Sequence, residues 1–316
     1  KQAGTVGEIA GWSPGDDAAV ARALGLINTA SPSVEHAVHD ADFVVVAAPV
    51  PAMPALFAQI RTALGPNAIV TDCGSTKRSV IDAARRELGD AFVRYVPGHP
   101  IAGSERSGPQ AADPGLFRGR RWLLCPVEAT PSQHCEAVRQ LVEPTGAVVQ
   151  SIDAALHDRL FAEVSHWPHA VAFALSAAIA GGELAEQAIG YSGAGLRDTT
   201  RIGASSPELW ADILLDNRDA CLESATRFRD SLERIESALR GGEREVLIDA
   251  FAQASRWRAQ IEAFIAAAGE NPTHLDSHHH SSYCSPALFK AMLELAGEYG
   301  CGIRYPLSQD QTSDEF

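Results

Sequence analysis

Short apolar runs alternate with amphipathic segments in the first half of the chain. The apolar runs, which have the length of single strands, lie at 8–12, 43–48, 68–72, 94–97, 121–125 and 147–150. Amphipathic segments with a helical period lie between several of them, at 18–24, 54–64 and 77–88. Because strands joined by helices of this length pair in parallel through crossover connections, the pattern predicts an α/β fold with an open parallel sheet.

A helical period dominates the chain from about residue 153 to residue 268. Ser206, followed by a proline and a glutamate, is typical of a helix start. Two long amphipathic helices are predicted at 217–239 and 243–268, with two glycines between them. This half therefore predicts an all-helical domain, and paired long helices of this kind favour a homodimer.

Composition narrows the class of protein. The chain has 316 residues and a formal net charge of −14, which argues against a nucleic-acid partner because such partners need a basic face. No apolar run is long enough to cross a bilayer and no apolar leader opens the chain, so the sequence predicts a cytoplasmic protein without a membrane partner. Six scattered cysteines without paired spacing indicate reduced thiols rather than a disulfide framework.

Two polar segments follow predicted strands. The first, DCGSTK at 72–77, opens a helix at the edge of the sheet, where parallel sheets bind ligands. Its Ser75 or Thr76 could instead simply cap that helix. The second, GHPIAGSERSG at 98–108, is predicted to be a loop and places a histidine among turn-forming glycines. His99 is therefore a candidate general acid or base.

Taken together and in this order, the two segments resemble the prephenate/arogenate dehydrogenase family. The resemblance continues through VSHWPHAVAFA at 164–174, GLRDTTRIG at 195–203 and SPELW at 206–210, and it covers about residues 1 to 268. It implies a Rossmann-type sheet domain followed by a helical domain, and a role in tyrosine biosynthesis. The implied reaction is the oxidative decarboxylation of prephenate or arogenate, with hydride transfer to NAD or NADP.

The resemblance also implies roles for single residues. His99 would accept the proton of the ring hydroxyl as hydride departs, so activity should fall when this imidazole is protonated. Ser75 would orient His99 and the nicotinamide, and Arg201 would bind a substrate carboxylate. The substrate-binding residues implied are Arg201, His169, His166, Ser104, Glu105 and Trp210, and the cofactor-binding residues implied are Ser13, Pro49, Gly74 and Ser75.

His166 and His169 lie three residues apart and share one face of a predicted helix. Spacing alone also fits a pair of core or interface histidines, or a pair of metal ligands. No carboxylate or cysteine nearby completes a metal site in an obvious way, so none is predicted. The resemblance favours the substrate pocket, for His169 more than for His166.

Rossmann-type domains usually open with a strand and a GxGxxG turn that binds the pyrophosphate. The sequence contains no such turn, so the sheet domain is predicted to lack its first βα unit and to bind dinucleotide weakly. A catalytically silent helical dimer scaffold is therefore an alternative function. The predicted parts are a dinucleotide-binding domain at 1–152, a helical substrate and dimerisation domain at 153–268, and an unrelated tail at 269–316.

The tail holds four of the eleven histidines, in THLDSHHH at 273–280. With YCSPALF at 283–289 and YGCGIR at 299–304, it resembles a fragment of the YdjC-like carbohydrate deacetylases, which are metal-dependent enzymes of another fold. The early acidic metal-ligand motif of that family is absent, so a metal-dependent hydrolase fragment is a further alternative rather than the main hypothesis. The tail is expected to pack poorly on the main body.

Overall fold

The computed structural model describes residues 6–103 and 108–268, with side chains up to residue 263. Its strands are β1 (Ala10–Gly11), β2 (Thr29–Ala30), β3 (Phe43–Val46), β4 (Ile69–Asp72), β5 (Tyr95–Val96), β6 (Gly98–Pro100), β7 (Arg121–Leu124) and β8 (Val148–Ser151). Its helices are α1 (Asp17–Ala23), α2 (Val34–Val38), α3 (Met53–Ala63), α4 (Arg78–Leu88), α5 (Ser132–Val142), α6 (Ala154–Phe161), α7 (Trp167–Ala180), α8 (Ala185–Tyr191), α9 (Ala194–Thr200), α10 (Pro207–Asp216), α11 (Arg218–Gly241) and α12 (Arg244–Ala268). The chain forms two compact units that divide after Asp230.

A three-stranded parallel sheet belongs to the first unit. β4 lies between β3 and β5, and Val44 of β3 is opposite Val70 of β4. All four residues of β4 are buried, because strands flank it on both sides and side chains of α3 and α4, such as Phe57 and Ala84, pack in the same apolar core. The predicted parallel, Rossmann-type sheet followed by helices is confirmed.

Two further groups of paired strands belong to the first unit. β1 and β2 form a parallel pair, with Ala10 opposite Thr29. β7 pairs in parallel with β8 and antiparallel with β6. Within the described residues, β1 and β2 share no ladder of hydrogen bonds with β3, so the strands form separate sheets there.

His99 lies in a short strand, β6, so the prediction of a loop was wrong for Gly98–Pro100. His99 is opposite Leu123 in the antiparallel pairing of β6 with β7, and the N–H of Ile101 donates to the carbonyl oxygen of Arg121 at 2.8 Å. Glycine and proline are depleted in strands, which is why the composition indicated a turn. The pairing holds the backbone in place at His99.

From α6 onward the described chain is helical apart from short connections. A π-helical turn at Ala162–His166 joins α6 to α7. Ser206 caps α10 as predicted, since its hydroxyl accepts a hydrogen bond from the N–H of Leu209. The two predicted long helices are confirmed as α11 and α12, and Gly242, with a φ of +66° that favours glycine, lies between them.

Within the described part of the chain, no helix taken singly has both the length and the apolar character to span a bilayer. One pair bent by 114°, Ala154–Ala180 with Ala185–Tyr191, meets these criteria when its two members are counted together.

Some predictions fall outside the described residues. Ser104 and Glu105, predicted at the substrate pocket, are among them, and so is the segment 269–316, with its predicted loose packing. The domain boundaries after residues 152 and 268 stay predictions.

Candidate active site

His99 is held by a second histidine that the sequence analysis did not single out. Nδ1 of His99 lies 2.8 Å from Nε2 of His157, and Nδ1 of His157 lies 2.8 Å from Oδ1 of Asp158. His157 is fully buried in α6, and His99 is 9% exposed in β6. The three side chains therefore form a continuous hydrogen-bonded row that ends on an acid.

Asp158 is held by the first turn of α4. Its Oδ1 accepts the N–H of Lys77 at 2.8 Å, and its Oδ2 accepts the N–H of Arg78 at 2.9 Å. A carboxylate at this position satisfies N–H groups that have no partner within the helix and interacts favourably with the helix dipole. Burial acts to raise the pKa of Asp158, but the hydrogen bonds from His157 and from these two N–H groups outweigh it and lower that pKa.

The cap of α4 thus comes from a distant part of the chain. The residue before the helix is Lys77, whose own side chain makes no capping hydrogen bond. The hydroxyl of Thr76 is buried and has no hydrogen-bond partner among the described residues. The alternative in which Ser75 or Thr76 serves only as the cap is therefore not what the structure shows.

A buried ion pair holds the backbone next to His99. Nζ of Lys77 contacts Oδ2 of Asp72 and donates to the carbonyl oxygen of Gly98. Oδ1 of Asp72 accepts the hydroxyl of Tyr95 at 2.7 Å and the N–H of Gly98 at 3.0 Å. A Cβ on Gly98 would lie 2.6 Å from the carbonyl oxygen of Asp72, so the strand requires glycine here. The β4–α4 turn therefore binds both backbone polar groups of the residue that precedes the histidine.

A row of ring contacts connects His99 with predicted substrate-binding residues. The ring of Phe161 lies 4.9 Å from that of His99 and 6.3 Å from that of His166, measured between centroids. The ring of Trp210 lies 6.2 Å from that of His166 and stacks on His169, with centroids 3.4 Å apart and planes 16° apart. Residues from β6, α6, α7 and α10 therefore meet along one continuous path.

His166 is a buried, uncharged histidine. Its Nδ1 accepts a hydrogen bond from Nδ2 of Asn217 at 3.1 Å, and the same amide group donates to the carbonyl oxygen of Asp158 at 2.7 Å. Burial is the main cause that lowers the pKa of His166 to about 4, and His157 adds to the effect. The single proton of the neutral ring is therefore on Nε2.

The stability of the protein is expected to fall as the pH drops through the range set by His166. The unfolded chain binds a proton there near pH 6.5, the ordinary value, whereas the folded protein binds it only near pH 4. Because the unfolded state holds more protons between these limits, lowering the pH from 7.5 to 5 should reduce the free energy of unfolding by about 2 kcal/mol through His166 alone. Urea unfolding at the two pH values measures this loss.

Two variants distinguish the contribution of His166 to this pH dependence from that of the other histidines. His166→Gln should lose roughly this part of the pH dependence, because glutamine does not titrate there. His39→Gln should keep it, since the His39 side chain is 71% exposed. Identical pH dependence in His166→Gln and the parent protein would show that the loss comes from other groups.

His169 lies within electrostatic range of Arg201. Nδ1 of His169 donates to the carbonyl oxygen of Ser165 at 2.8 Å, which leaves the lone pair of the neutral ring on Nε2. Burial is the main cause that lowers the pKa of His169; the bond to Ser165 opposes it, and the positive charge of Arg201 adds to it. The guanidinium group of Arg201 and the neutral imidazole of His169 therefore lie close together at the end of the row of ring contacts that starts at His99.

A cavity of about 260 Å³ lies at the carboxyl ends of β3 and β4. Three of the predicted cofactor-binding residues, Pro49, Gly74 and Ser75, line it, together with residues of α10 such as Asp212. The fourth, Ser13, is not among its lining residues; its hydroxyl donates to a backbone carbonyl and accepts an N–H at the start of α1. The structure therefore brings three of these four residues to one place.

The sequence alone predicted one part of this site and missed another. It singled out His99, His166, His169 and Trp210, which the ring contacts connect. It missed His157, Asp158, Phe161 and the buried side chain of Lys77. A signal that could have found the first two is the His-Asp pair just after the last strand. The predicted orientation of His99 by Ser75 stays a prediction.

Two family models match consecutive parts of the chain. Residues 1–151 match the nucleotide-binding domain of prephenate dehydrogenase, and residues 153–253 match its dimerization domain. The cyclohexadienyl dehydrogenase of Zymomonas mobilis is 33% identical over 244 residues, which cover 77% of this chain and 83% of that protein. The crystal structure of prephenate dehydrogenase from Aquifex aeolicus, in complex with hydroxyphenyl propionate and NAD+, superposes with a TM-score of 0.75 at 32% identity and covers 82% of this chain and 91% of that one.

A third family model matches the C-terminal part. Residues 222–315 match the model described as YdjC-like protein. The carbohydrate deacetylase of Brevibacillus brevis is 49% identical over 49 residues, which cover 16% of this chain and 19% of that protein. The predicted resemblance is confirmed, and it involves a small fraction of that relative.

Proposed function

The chain belongs to the prephenate dehydrogenase family of oxidoreductases, and from that premise we propose that it converts prephenate or arogenate to a 4-hydroxyphenyl product in tyrosine biosynthesis. The ring carbon that bears the hydroxyl loses a hydride, and the quaternary ring carbon loses its carboxylate as carbon dioxide. Bound NAD+ or NADP+ would supply the hydride acceptor. The electron pair of the broken carbon–carbon bond makes the ring aromatic.

His99 is proposed as the group that moves the proton. As hydride leaves, the imidazole accepts the proton of the ring hydroxyl, and it returns this proton to the phenolate oxygen once carbon dioxide has left. The observation that carries the proposal is the hydrogen-bonded row of His99, His157 and Asp158, which holds an imidazole in a nearly buried strand. A histidine with only a packing role would not need a buried partner that itself ends on a carboxylate.

Arg201 and His169 are proposed to bind the substrate. Prephenate and arogenate carry a carboxylate on the ring and another on the side chain. A guanidinium fork matches a carboxylate better than the point charge of a lysine does. The ring row from His99 through His166 and Trp210 to His169 supports a single pocket, since Arg201 acts on the pKa of His169. Ser104 and Glu105 remain candidates for the same pocket.

The cavity at the ends of β3 and β4 is proposed to hold the nicotinamide end of the cofactor. It lies at the edge where parallel sheets bind dinucleotides, and Gly74 and two alanines leave room for a planar ring. A Cβ on Gly74 would lie 2.9 Å from Oδ2 of Asp72, so the backbone can approach closely only without a side chain here. Ser75 would contact the ring, and Ser13 is kept as the candidate for the adenosine ribose. An assay that follows the formation of NADH and of NADPH decides between NAD and NADP.

A homodimer is proposed for the helical part. The matched model for residues 153–253 is named for dimerization. In the second unit, Leu239, Phe251 and Trp257 are each more than half exposed, and the last two line a groove of about 620 Å³. Exposed apolar surface of this kind marks an interaction site. Sedimentation velocity that gave only the mass of one chain would contradict the dimer. The cytoplasmic location and the absence of nucleic-acid and membrane partners stay predictions.

An assay with a complete cofactor site tests the function. In what we call the cofactor-complete form, a βα unit with a GxGxxG turn is joined ahead of Gly7, and formation of NADH or NADPH is followed with prephenate and with arogenate. We expect turnover with at least one pair of substrate and cofactor. If neither substrate reduces either cofactor, a catalytically silent helical dimer scaffold becomes the better hypothesis for the function of the chain.

Arg201→Lys in the same form should raise KM about 10- to 100-fold, because a bidentate, charge-assisted contact with the carboxylate is lost. Arg159→Lys is the matched control, because Arg159 is exposed on α6 and takes no part in the contacts described above. An unchanged KM in Arg201→Lys would remove this residue from the substrate site.

A further inference from the structure

Asp158 is a carboxylate that can only accept hydrogen bonds. Its two oxygens accept the N–H groups of Lys77 and Arg78, and Oδ1 also lies against the ring of His157. A protonated carboxyl would have to give up one of these acceptor positions. Although burial acts to raise the pKa of Asp158, these hydrogen bonds lower it, so the group is ionised at neutral pH.

The carboxylate determines where His157 carries its proton. Nδ1 of His157 lies 2.8 Å from Oδ1 of Asp158, so Nδ1 must be the donor. Burial lowers the pKa of His157 in spite of the raising effect of Asp158, so the ring is neutral and holds a single proton. Lys77 and Asp72 are the other charged groups that act on this ring, and their effects oppose each other. Nε2 of His157 therefore carries a lone pair.

His157 in turn determines where His99 carries its proton. Nδ1 of His99 lies 2.8 Å from Nε2 of His157, which carries the lone pair, so Nδ1 of His99 must be the donor. A neutral His99 then has no hydrogen on Nε2. We propose that Asp158 acts through His157 as a positioning residue that holds His99 in the Nδ1–H tautomer, so that Nε2 is the basic atom of His99.

The catalytic meaning of this tautomer rests on the proposed function, whereas the tautomer itself rests on the two contacts and on the neutral state of His157. A base for the ring hydroxyl needs a lone pair on the nitrogen that meets the substrate. Without the carboxylate, His157 can place its proton on Nε2, and Nδ1 of His99 must then accept. His99 would keep its position but would present a hydrogen where the reaction needs a lone pair.

Nitrogen-15 NMR of the protein labelled at histidine tests the tautomers directly, because protonated and unprotonated ring nitrogens give well-separated signals. The signals are assigned by comparison with His99→Asn and His157→Gln. We expect His99 and His157 both to carry their proton on Nδ1 when neutral. A proton on Nε2 of neutral His99 would overturn the proposal. The tautomers are read from the spectrum of the parent protein, and the deciding signal, that of His99, needs only His99→Asn for its assignment; the backbone pairing of β6 with β7 should keep that variant folded.

Asp158→Ala tests the cause of the tautomer. It should release both rings from the Nδ1–H form, and in the cofactor-complete form it should lower kcat about a hundredfold with little change in KM. Asp153→Ala is the matched control, since Asp153 has the same charge and caps α6, the helix that contains Asp158, through the N–H of Leu156. Unchanged tautomers in Asp158→Ala would show that another group sets them and would refute the role of Asp158.

The two readouts separate this inference from the proposed function. The expected tautomers in a protein that lacks turnover would contradict the proposed function and leave the inference standing. Turnover that depends on His99, in a protein whose neutral His99 carries its proton on Nε2, would contradict the inference and leave the proposed function standing.

Discussion

Replacing Lys77 with methionine is expected to lower the free energy of unfolding by about 3 kcal/mol, because it leaves the carboxylate of Asp72 buried without its counter-charge. Both side chains are fully buried. Asp72 keeps the hydroxyl of Tyr95 and the N–H groups of Gly74 and Gly98 as donors, so the loss should stay at the lower end of the range for broken buried pairs. Urea unfolding followed by circular dichroism measures it.

Two further variants test whether this loss of stability comes from the buried ion pair. Arg86→Met removes one member of an exposed ion pair with Glu87 and should change the free energy of unfolding by less than about 0.5 kcal/mol. The double variant Lys77→Met/Asp72→Asn should lose less than the sum of the two single variants, because it removes both charges. Additive losses, or a Lys77→Met protein as stable as the parent, would mean that the pair is not energetically coupled.

Much of the sheet could be predicted because its signal is local. β3 is apolar over its whole length, and β4 begins with Ile69 and Val70, as is typical of strands in a largely buried parallel sheet. β6 could not be predicted in this way, since Gly98 and Pro100 resemble a turn and only pairing with β7 makes them a strand. Composition reports what a segment prefers on its own, and here the pairing overrides that preference.

The partners of His99 could not be predicted for a related reason. His99 and His157 are 58 positions apart, and Asp158 reaches N–H groups 80 and 81 positions earlier in the chain. The adjacent His157 and Asp158 are visible as a pair in the sequence, but the residues around them do not indicate which distant groups they contact. The cap of α4 shows the same limit, because the local candidates Ser75 and Thr76 gave way to a carboxylate that also serves a histidine.

The turn between β4 and α4 links stability to chemistry. Through side chains, Asp72 and Lys77 bind the backbone of Gly98, which precedes His99. Through its backbone, the same turn binds Asp158, which leads through His157 to the ring of His99. One short segment therefore holds His99 from two directions. Lys77→Met should then not only lower the free energy of unfolding but also leave the imidazole of His99 less well aligned.

His99→Asn in the cofactor-complete form is expected to lower kcat about a thousandfold while the protein stays folded. A positioned base contributes roughly a hundred- to ten-thousandfold to such a rate, and asparagine cannot accept the proton. The fold should survive because the pairing of β6 with β7 uses the backbone, and the amide of asparagine can still donate to Nε2 of His157.

Steady-state rates with prephenate and arogenate, together with urea unfolding of the same samples, separate chemistry from folding in this variant. His36→Asn is the matched control, since His36 is exposed on α2 and should keep the parent rate. A His99→Asn protein that retained more than a tenth of the parent kcat would mean that another group takes the proton. Because His157 is fully buried and donates its own proton to Asp158, it could not substitute without moving, so such a result would direct attention to His169 at the far end of the ring row.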